Sequence, residues 1–290
     1  MNNYPIPPSS RNQLNWNRFT KQESGNWCLV IPSFYAELFT YQETELMEKA
    51  SSNWRDTKTG EMKFIFFDNL ENVEIGKINL FIDEYSKFVI IGKNNNIDKY
   101  FTNELDFCCA LDYNFIRSGS EFERTEIGEL EYQAKYNKCR KSRKTLVEFM
   151  VTALNRINRG FEIRKRCISY IPSTSDKIFH LPEKIAKEIA KSKNFSSYKD
   201  ITIINSKINI RTLASKDLTF AEKIKKWKII ISNSHISLDK DVAGLDIYVI
   251  DDLYQSGVTM WSYAKYLKSI GANSVAGLVC VKTIGDKDNI

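Results

Sequence analysis

Strand-like and helix-like segments alternate along the chain after Gly160, and this alternation constrains the fold more than any other feature. The strand-like segments are Cys167–Ile171, Asp200–Ile204, Lys228–Ser232, Asp246–Ile250 and Ala276–Val281. The helix-like segments between them are Pro182–Lys191, Phe220–Trp227 and Val258–Ile270. This spacing predicts right-handed crossovers and a mostly parallel α/β sheet with helices on both faces. Ligands of such sheets bind outside the carboxyl ends of the strands.

The region before residue 126 has a different pattern. Ser33–Ser52 has helical apolar spacing, and strand-like runs follow at Lys63–Phe67, Lys77–Ile82 and Lys87–Ile91. We therefore predict a smaller α+β domain over residues 1–125, of unknown role, and an α/β domain over residues 126–290. The α/β domain begins with an amphipathic helix whose apolar face comprises Leu146, Phe149, Met150, Ala153, Leu154 and Ile157.

The two predicted domains differ in charge. Residues 1–125 contain 13 Lys and Arg against 18 Asp and Glu, a net −5, whereas residues 126–290 contain 29 against 18, a net +11. A basic domain attracts phosphorylated ligands or nucleic acid. The basic cluster Lys135, Lys138, Arg140, Lys141, Arg143 and Lys144 either contacts phosphate or forms a solvated helix face. The charge difference also raises the hypothesis that the acidic domain recognises a partner protein.

Several classes of protein are not expected. No apolar run approaches the roughly 18 residues of a membrane-spanning helix, and the N-terminal sequence MNNYPIPPSSRNQ is not typical of an export signal. The six cysteines show no C-x-x-C spacing, so we expect free thiols and no structural zinc site. We predict a cytoplasmic protein without membrane contact, and a homo-oligomer is compatible with the composition.

The stretch VIDDLYQSGVTMW, Val249–Trp261, carries the chemistry. Asp251 and Asp252 follow a buried apolar run, and a turn containing Gly257 leads into a helix. A helix N-terminus binds a phosphate through its unpaired N–H groups and its dipole. Ser256 and Thr259 can add hydroxyl donors. The two carboxylates suit the vicinal hydroxyls of a ribose, so the pattern predicts a ribose 5-phosphate site.

VIDDLYQSGVT resembles the phosphoribosyl-pyrophosphate signature of type I phosphoribosyltransferases at every place but one. Gln255 stands where that family has Thr or Ser, although its amide can still donate to phosphate. IGELEYQAKY and SIGANSVAGLVCVKT are similar to the opening and the ending of the ComF-like branch, competence-associated proteins with this fold. The resemblance covers about residues 126–290. The four-cysteine zinc knuckle that ComF proteins often carry is missing from this chain.

The resemblance implies an enzyme of nucleotide metabolism that binds Mg²⁺-phosphoribosyl pyrophosphate and transfers the phosphoribosyl group to a nitrogen nucleophile. The substrate's own oxygens would hold the Mg²⁺, without a direct protein ligand. The implied residues are the catalytic pair Asp251 and Asp252, the 5′-phosphate loop Gln255, Ser256, Gly257, Val258 and Thr259, the pyrophosphate loop Ser173, Thr174 and Ser175, and the anion contacts Arg211 and Lys216 in a mobile lid within Ser206–Asp217.

A rival hypothesis keeps the fold without the chemistry. A non-catalytic module that senses phosphoribosyl pyrophosphate or associates with DNA is also compatible with the basic half of the chain, the ComF-like resemblance and Gln255. No DNA-reading motif stands out in the sequence. The acceptor of a transferase cannot be read from this sequence, because residues 1–125 resemble no recognised family.

Overall fold

The computed structural model describes residues 17–58, 62–92, 95–118, 121–157, 166–173, 179–192, 201–209, 218–232 and 235–284. The described parts of residues 8–90, together with the end of the helix at residues 156–157, form one compact unit, and those of residues 91–155 and 163–290 form another. The sequence analysis placed the boundary at residue 125, whereas the second unit begins at residue 91. The reason is that a strand at Phe107–Tyr113 pairs with the central parallel sheet.

The first unit is an antiparallel sheet with helices. In chain order its elements are β1 (Arg18–Lys21), β2 (Trp27–Pro32), α1 (Ser33–Gln42), α2 (Thr44–Glu48), β3 (Arg55–Asp56), β4 (Met62–Phe67), α3 (Asn72–Tyr85) and β5 (Val89–Ile90). The four-stranded sheet has the order β1-β2-β4-β3. Aromatic rings fill its core, with the centroids of Phe39 and Phe81 5.0 Å apart.

The predicted strand at Lys77–Ile82 is wrong, because this segment lies inside α3. Ile78, Phe81 and Tyr85 are buried at the three- and four-residue spacing of a helix face. The helix start is stabilised by Glu74, whose Oε2 accepts a hydrogen bond from the backbone N–H of Glu71 at 2.6 Å. Tertiary packing and this cap outweigh the β-like local composition.

The second unit contains the parallel sheet. Its elements are α4 (Asn95–Asp98), β6 (Phe107–Tyr113), β7 (Phe115–Ser118), β8 (Glu121–Arg124), α5 (Glu126–Lys135), α6 (Arg140–Ile157), β9 (Arg166–Tyr170), α7 (Leu181–Ala190), β10 (Thr202–Ile203), β11 (Ser206–Ile208), α8 (Phe220–Ser232), β12 (Ile236–Leu238), β13 (Asp246–Tyr254), α9 (Val258–Ser269) and β14 (Ser274–Lys282). The pairs β7–β8 and β11–β12 are antiparallel hairpins.

Within the second unit, the strands of the central sheet have the order β10-β9-β13-β14-β6. Strands β10, β9, β13, β14 and β6 pair in parallel with their neighbours. From β9 the chain crosses through α7 to β10 on one side, and from β13 it crosses through α9 to β14 on the other. Because such crossovers are right-handed as a rule, we expect α7 and α9 to lie on opposite faces of the sheet. The predicted mostly parallel α/β sheet is therefore confirmed.

Individual predictions for this unit fare differently. The apolar face of α6 is confirmed, since Leu146, Met150 and Leu154 are fully buried. The predicted strand Lys228–Ser232 is wrong, because α8 continues through it and buries Trp227 and Ile230 on one face. The sequence analysis did not anticipate that β6 belongs to the sheet, nor the β11–β12 hairpin.

The cysteines are free thiols, as predicted. Cys108 and Cys109 on β6 and Cys280 on β14 lie fully inside the sheet, and burial raises the pKa of each thiol. Cys139, between α5 and α6, is partly exposed, and a hydrogen bond with Ser142 lowers its pKa. Within the described ranges, no helix combines the length and apolarity needed to cross a membrane.

Candidate functional site

The site is built where the strand order reverses, between β9 and β13. Chain crossovers leave this pair in opposite directions, and in open parallel sheets this reversal point is where a ligand crevice is expected, outside the carboxyl ends of the strands. The backbone N–H of Ile171 donates to the carbonyl of Ile250 at 3.0 Å, which continues the pairing past the end of β9. Asp251 therefore lies beside the segment that leads from β9 to Ser173, and the two sequence-predicted segments meet at one edge of the sheet.

The acid pair lies in the last part of β13. The strand extends to Tyr254, beyond the predicted end at Ile250, because Leu253 and Tyr254 still pair with Val281 and Lys282. Asp251 Oδ1 accepts a hydrogen bond from the backbone N–H of Asp252 at 2.9 Å. Burial, and secondly the negative charge of Asp252, hold the pKa of Asp251 well above its usual range.

Helix α5 contributes two further charged groups to the pair. Lys135 Nζ is 3.1 Å from Asp252 Oδ2 and 3.4 Å from Glu131 Oε1. Burial raises the pKa of Glu131 to about 7, with the Lys135 charge opposing this shift and the Asp252 charge adding to it. Burial alone would lower the pKa of Lys135, but the charges of Asp252 and Glu131 outweigh it and raise that pKa. The four groups form one electrostatic unit.

The turn after the acids has a shape that only glycine fits. Gly257 precedes α9 with φ = 82°, in the left-handed region. A Cβ at this position would lie 2.2 Å from Tyr254 Oη. Tyr254 Oη in turn accepts a hydrogen bond from Trp261 Nε1 at 3.2 Å. Tyr254, Gly257 and Trp261 thus fix the angle at which α9 leaves the strand.

The predicted phosphate loop spans this turn and the first residues of α9. Gln255 and Thr259 are partly exposed, whereas Ser256, Gly257 and Val258 are buried. Ser256 is 5% exposed, so its hydroxyl lies under the surface of the loop. The first backbone N–H groups of α9 have no acceptor within the helix, as at any helix start. They supply the positive end of the helix dipole beside the acid pair.

The carboxyl end of β9 borders a cavity that is lined by neither the acid pair nor the turn after it. This cavity has a volume of about 570 Å³ and is lined by Tyr170, Ser173, His180, Asn205 and Asp239, among others. Asn205 donates to Asp239 Oδ1 at 2.8 Å and to Oδ2 at 2.6 Å, which closes one wall. Ser173 is therefore placed at this cavity. Thr174, Ser175, Arg211 and Lys216 lie outside the described residues.

Two residues of the cluster were not singled out from the sequence as site residues. Lys135 was considered only as a member of a basic run, and Glu131 was not considered. The available signal was their four-residue spacing on one helix face with Ile127 and Ala134, both of which are buried. Across the part of the chain that the structure describes, no three His, Cys, Asp or Glu side chains gather as a metal site.

The chain is similar to some solved structures, at low sequence identity. No protein-family model matches the sequence, and no curated protein matches it significantly. Among solved structures, a hypoxanthine phosphoribosyltransferase from Staphylococcus aureus is similar at 13% identity and a TM-score of 0.31, over 50% of this chain and 74% of that one. A hypoxanthine-guanine phosphoribosyltransferase from Bacillus anthracis is similar at 16% identity and a TM-score of 0.30, over 48% and 68%.

Proposed function

We propose that the protein binds Mg²⁺-phosphoribosyl pyrophosphate above β9 and β13 and transfers the phosphoribosyl group to a nitrogen nucleophile, with release of pyrophosphate. The observation that carries this proposal is the position of the Asp251–Asp252 pair. It lies at the reversal point of the parallel sheet, directly before a glycine turn and a helix start. Acceptors for sugar hydroxyls and amide donors for a phosphate are thus only a few residues apart.

In this proposal the acids bind the ribose. A carboxylate accepts several hydrogen bonds, so each aspartate can take a hydroxyl while keeping its present partner. Asp251 Oδ2 and Asp252 Oδ1 are the oxygens not engaged with the Asp252 N–H or with Lys135. The 2′- and 3′-hydroxyls of the ribose would bind there. The 5′-phosphate would bind the amides of the loop from Gln255 to Thr259.

The diphosphate would extend toward β9. Ser173, which lines the cavity at the carboxyl end of β9, is the described member of the predicted pyrophosphate loop. Thr174, Ser175, Arg211 and Lys216 keep their proposed roles as anion contacts. This direction is favoured because β9 is the neighbour of β13 on the side away from β14.

Magnesium enters this scheme as part of the substrate. Mg²⁺ prefers oxygen ligands and keeps several waters, and it commonly binds through substrate phosphates. The described residues contain no three-ligand metal cluster. The carboxylates of Asp251 and Asp252 have the right chemistry to contact the ion's water shell while the diphosphate and the ribose oxygens coordinate it directly.

The proposed reaction is a displacement at C1 of the ribose. The C1–O bond breaks and its electron pair leaves with the diphosphate, while a nitrogen lone pair forms the new C1–N bond and the nitrogen loses a proton. Positive charge develops at C1 on the way. The protein would act by orienting the sugar through its hydroxyls and by stabilising the leaving diphosphate with N–H and cationic groups.

Calorimetric titration with phosphoribosyl pyrophosphate tests this function. We expect saturable binding that strengthens with Mg²⁺, followed by diphosphate release when the correct base is included in a screen of nucleobases. Ribose 5-phosphate should compete, since it carries both recognised ends. A chain that binds neither compound, at millimolar concentration and with Mg²⁺, does not have this function.

A second candidate is a non-catalytic, nucleic-acid-associated ComF-like module. One observation favours it. Phe122 and Tyr136 are 62% and 63% exposed. The Arg124 guanidinium lies 3.9 Å from the centroid of Tyr132, whose ring is 5.0 Å from that of Tyr136. Exposed aromatic rings beside cations bind single-stranded nucleic acid by stacking and charge. DNA binding that weakens steeply with salt, without diphosphate release, would favour this module.

A further inference from the structure

Four charged side chains meet where α5 passes the carboxyl end of β13. Glu131 and Lys135 lie one helical turn apart on α5, and Asp251 and Asp252 lie on the strand. Lys135 Nζ lies between the carboxylates of Glu131 and Asp252, at 3.4 Å and 3.1 Å. The cluster therefore joins the acids of the proposed ribose site to a helix that the phosphoribosyl-pyrophosphate signature does not include.

Water has little access to this cluster. The side chains of Glu131, Asp252 and Lys135 are 10%, 15% and 26% exposed. Glu131 Oε1 is buried and makes no hydrogen bond, although the Lys135 ammonium is within ion-pair distance. Charges interact more strongly where solvent is excluded. An ordinary surface ion pair is worth little by comparison.

The position of α5 is fixed by its own start. Thr125 caps the helix by accepting the Gly128 N–H at 2.9 Å, and its hydroxyl donates to the carbonyl of Tyr113 at 2.5 Å. A Cβ on Gly128 would lie 2.2 Å from the carbonyl oxygen of Asn114, so the helix backbone touches the residue after β6. These contacts hold the start of the helix whose last residue is Lys135.

We infer that Lys135 is a positioning residue of the proposed ribose site, which it serves by holding Asp252 through Oδ2 and leaving Oδ1 for a ribose hydroxyl. The inference rests on the proposed function. Glu131 holds the same ammonium from the opposite side. Lys135 acts through Asp252 and is not a catalytic residue.

Charge explains why such a residue is needed. Glu131, Asp251 and Asp252 would together repel an anionic sugar phosphate if all three were ionised and unpaired. The Lys135 ammonium offsets one of these charges without occupying the crevice. Its contact with Asp252 Oδ2 also leaves Oδ1 of the same side chain as an acceptor for a sugar hydroxyl.

The test compares Lys135→Met, Lys135→Arg and the control Lys225→Met, an exposed lysine on α8. Affinity for Mg²⁺-phosphoribosyl pyrophosphate is measured by calorimetry well below the unfolding temperature. We expect Lys135→Met to weaken binding at least tenfold, Lys135→Arg to restore it to within threefold of the wild type, and Lys225→Met to leave it unchanged.

The Asp252→Asn background separates positioning from direct contact. If Lys135 acts through Asp252, adding Lys135→Met to Asp252→Asn should weaken binding less than twofold further. A full additional tenfold loss would mean that Lys135 touches the ligand itself, and would overturn the inference. So would a Lys135→Met variant that melts earlier but binds as the wild type does. A wild-type protein that binds no phosphoribosyl pyrophosphate refutes the proposed function and the inference with it, an outcome distinct from either of these.

Discussion

The two ends of β13 each carry aspartate, and the environments of these residues differ sharply. At the amino end, Asp246 Oδ1 accepts hydrogen bonds from Asn273 Nδ2 and Ser274 Oγ, both at 2.6 Å. At the carboxyl end, Asp251 accepts the Asp252 N–H at 2.9 Å and faces a second carboxylate. One end satisfies its charge within the fold, and the other keeps acceptor oxygens beside a crevice.

The comparison shows how a stable strand can end in a reactive site. Neutral donors from Asn273 and from Ser274, the first residue of β14, tie Asp246 to the neighbouring strand, so this acid supports the sheet. At the other end, burial and secondly the charge of Asp252 raise the pKa of Asp251, so ionising this side chain works against stability at neutral pH. A ligand with hydroxyl donors would offset that cost. We therefore expect substitutions at the two ends to have opposite effects on binding and stability.

The largest effect should come from Asp251→Asn combined with Asp252→Asn. Amides donate where the ribose hydroxyls need acceptors, so affinity for Mg²⁺-phosphoribosyl pyrophosphate should fall about 1000-fold, or about 4 kcal/mol. The melting temperature should change little, because two effects oppose each other. The substitutions remove the repulsion between the two carboxylates, and they also remove the ion pair between Asp252 and Lys135. Calorimetry and thermal unfolding of the same sample provide the measurements. Wild-type turnover with an identified acceptor would refute the proposed mechanism.

Gly257→Ala should cost about 3 kcal/mol of unfolding free energy, since the new methyl meets Tyr254 Oη in addition to the strain of a positive φ. The matched control is Gly244→Ala, just before β13, where φ is 71° and a Cβ would meet nothing within 4 Å. That control should cost about 1 kcal/mol. Urea unfolding measures both. Equal losses would mean that Tyr254 moves aside at no cost.

Asp246→Ala should lower stability and leave binding almost unchanged, which is the reverse of the effect expected for the Asp251 and Asp252 substitutions. It leaves the amide of Asn273 and the hydroxyl of Ser274 without their acceptor, so the unfolding free energy should fall by about 2 kcal/mol. Affinity for phosphoribosyl pyrophosphate, measured below the melting transition, should stay within twofold of the wild type. A tenfold loss of affinity would show that the two ends of β13 are coupled.

Glu131→Gln should have the smallest effect, and it should depend on pH. The ordinary pKa of the side chain is 4.5 and its pKa in the fold is about 7. Between these values the unfolded chain is ionised while the folded chain keeps its proton, so the unfolding free energy falls as pH rises, and the deficit persists above pH 7. The charged groups facing Glu131 are Lys135, Asp252, Arg124 and Asp251, and the Cys280 thiol lies nearby.

The variant loses this slope and should therefore exceed the wild type by about 1 kcal/mol at pH 8, after allowance for the lost contact with Lys135. Urea unfolding at pH 5 and pH 8 measures the difference. Glu126→Gln, an exposed residue in the first turn of α5, is the control and should leave the slope unchanged. A pH 8 stability below that of the wild type would mean that the ion pair with Lys135 outweighs the burial of Glu131.

Local pattern sufficed to predict β13, the turn at Gly257 and the start of α9, because apolar runs, acids and glycine act within a few residues. The parallel sheet followed from strand–helix alternation. The strand predicted at Lys77–Ile82 failed because burial of one helix face outweighed local β propensity. The sequence did not predict that Lys135 reaches Asp252, since 117 positions separate them and the contact depends on how α5 packs on the sheet.

The positions of the cysteines allow thiol labelling to report local opening of the fold. Cys139 lies at the surface with a lowered pKa, so a maleimide should mark it first and at a rate set by simple collision. Cys108, Cys109 and Cys280 are buried in the central sheet. They should become labelled only when β6 and β14 separate, and their labelling rate would time the opening of the strands beside the crevice.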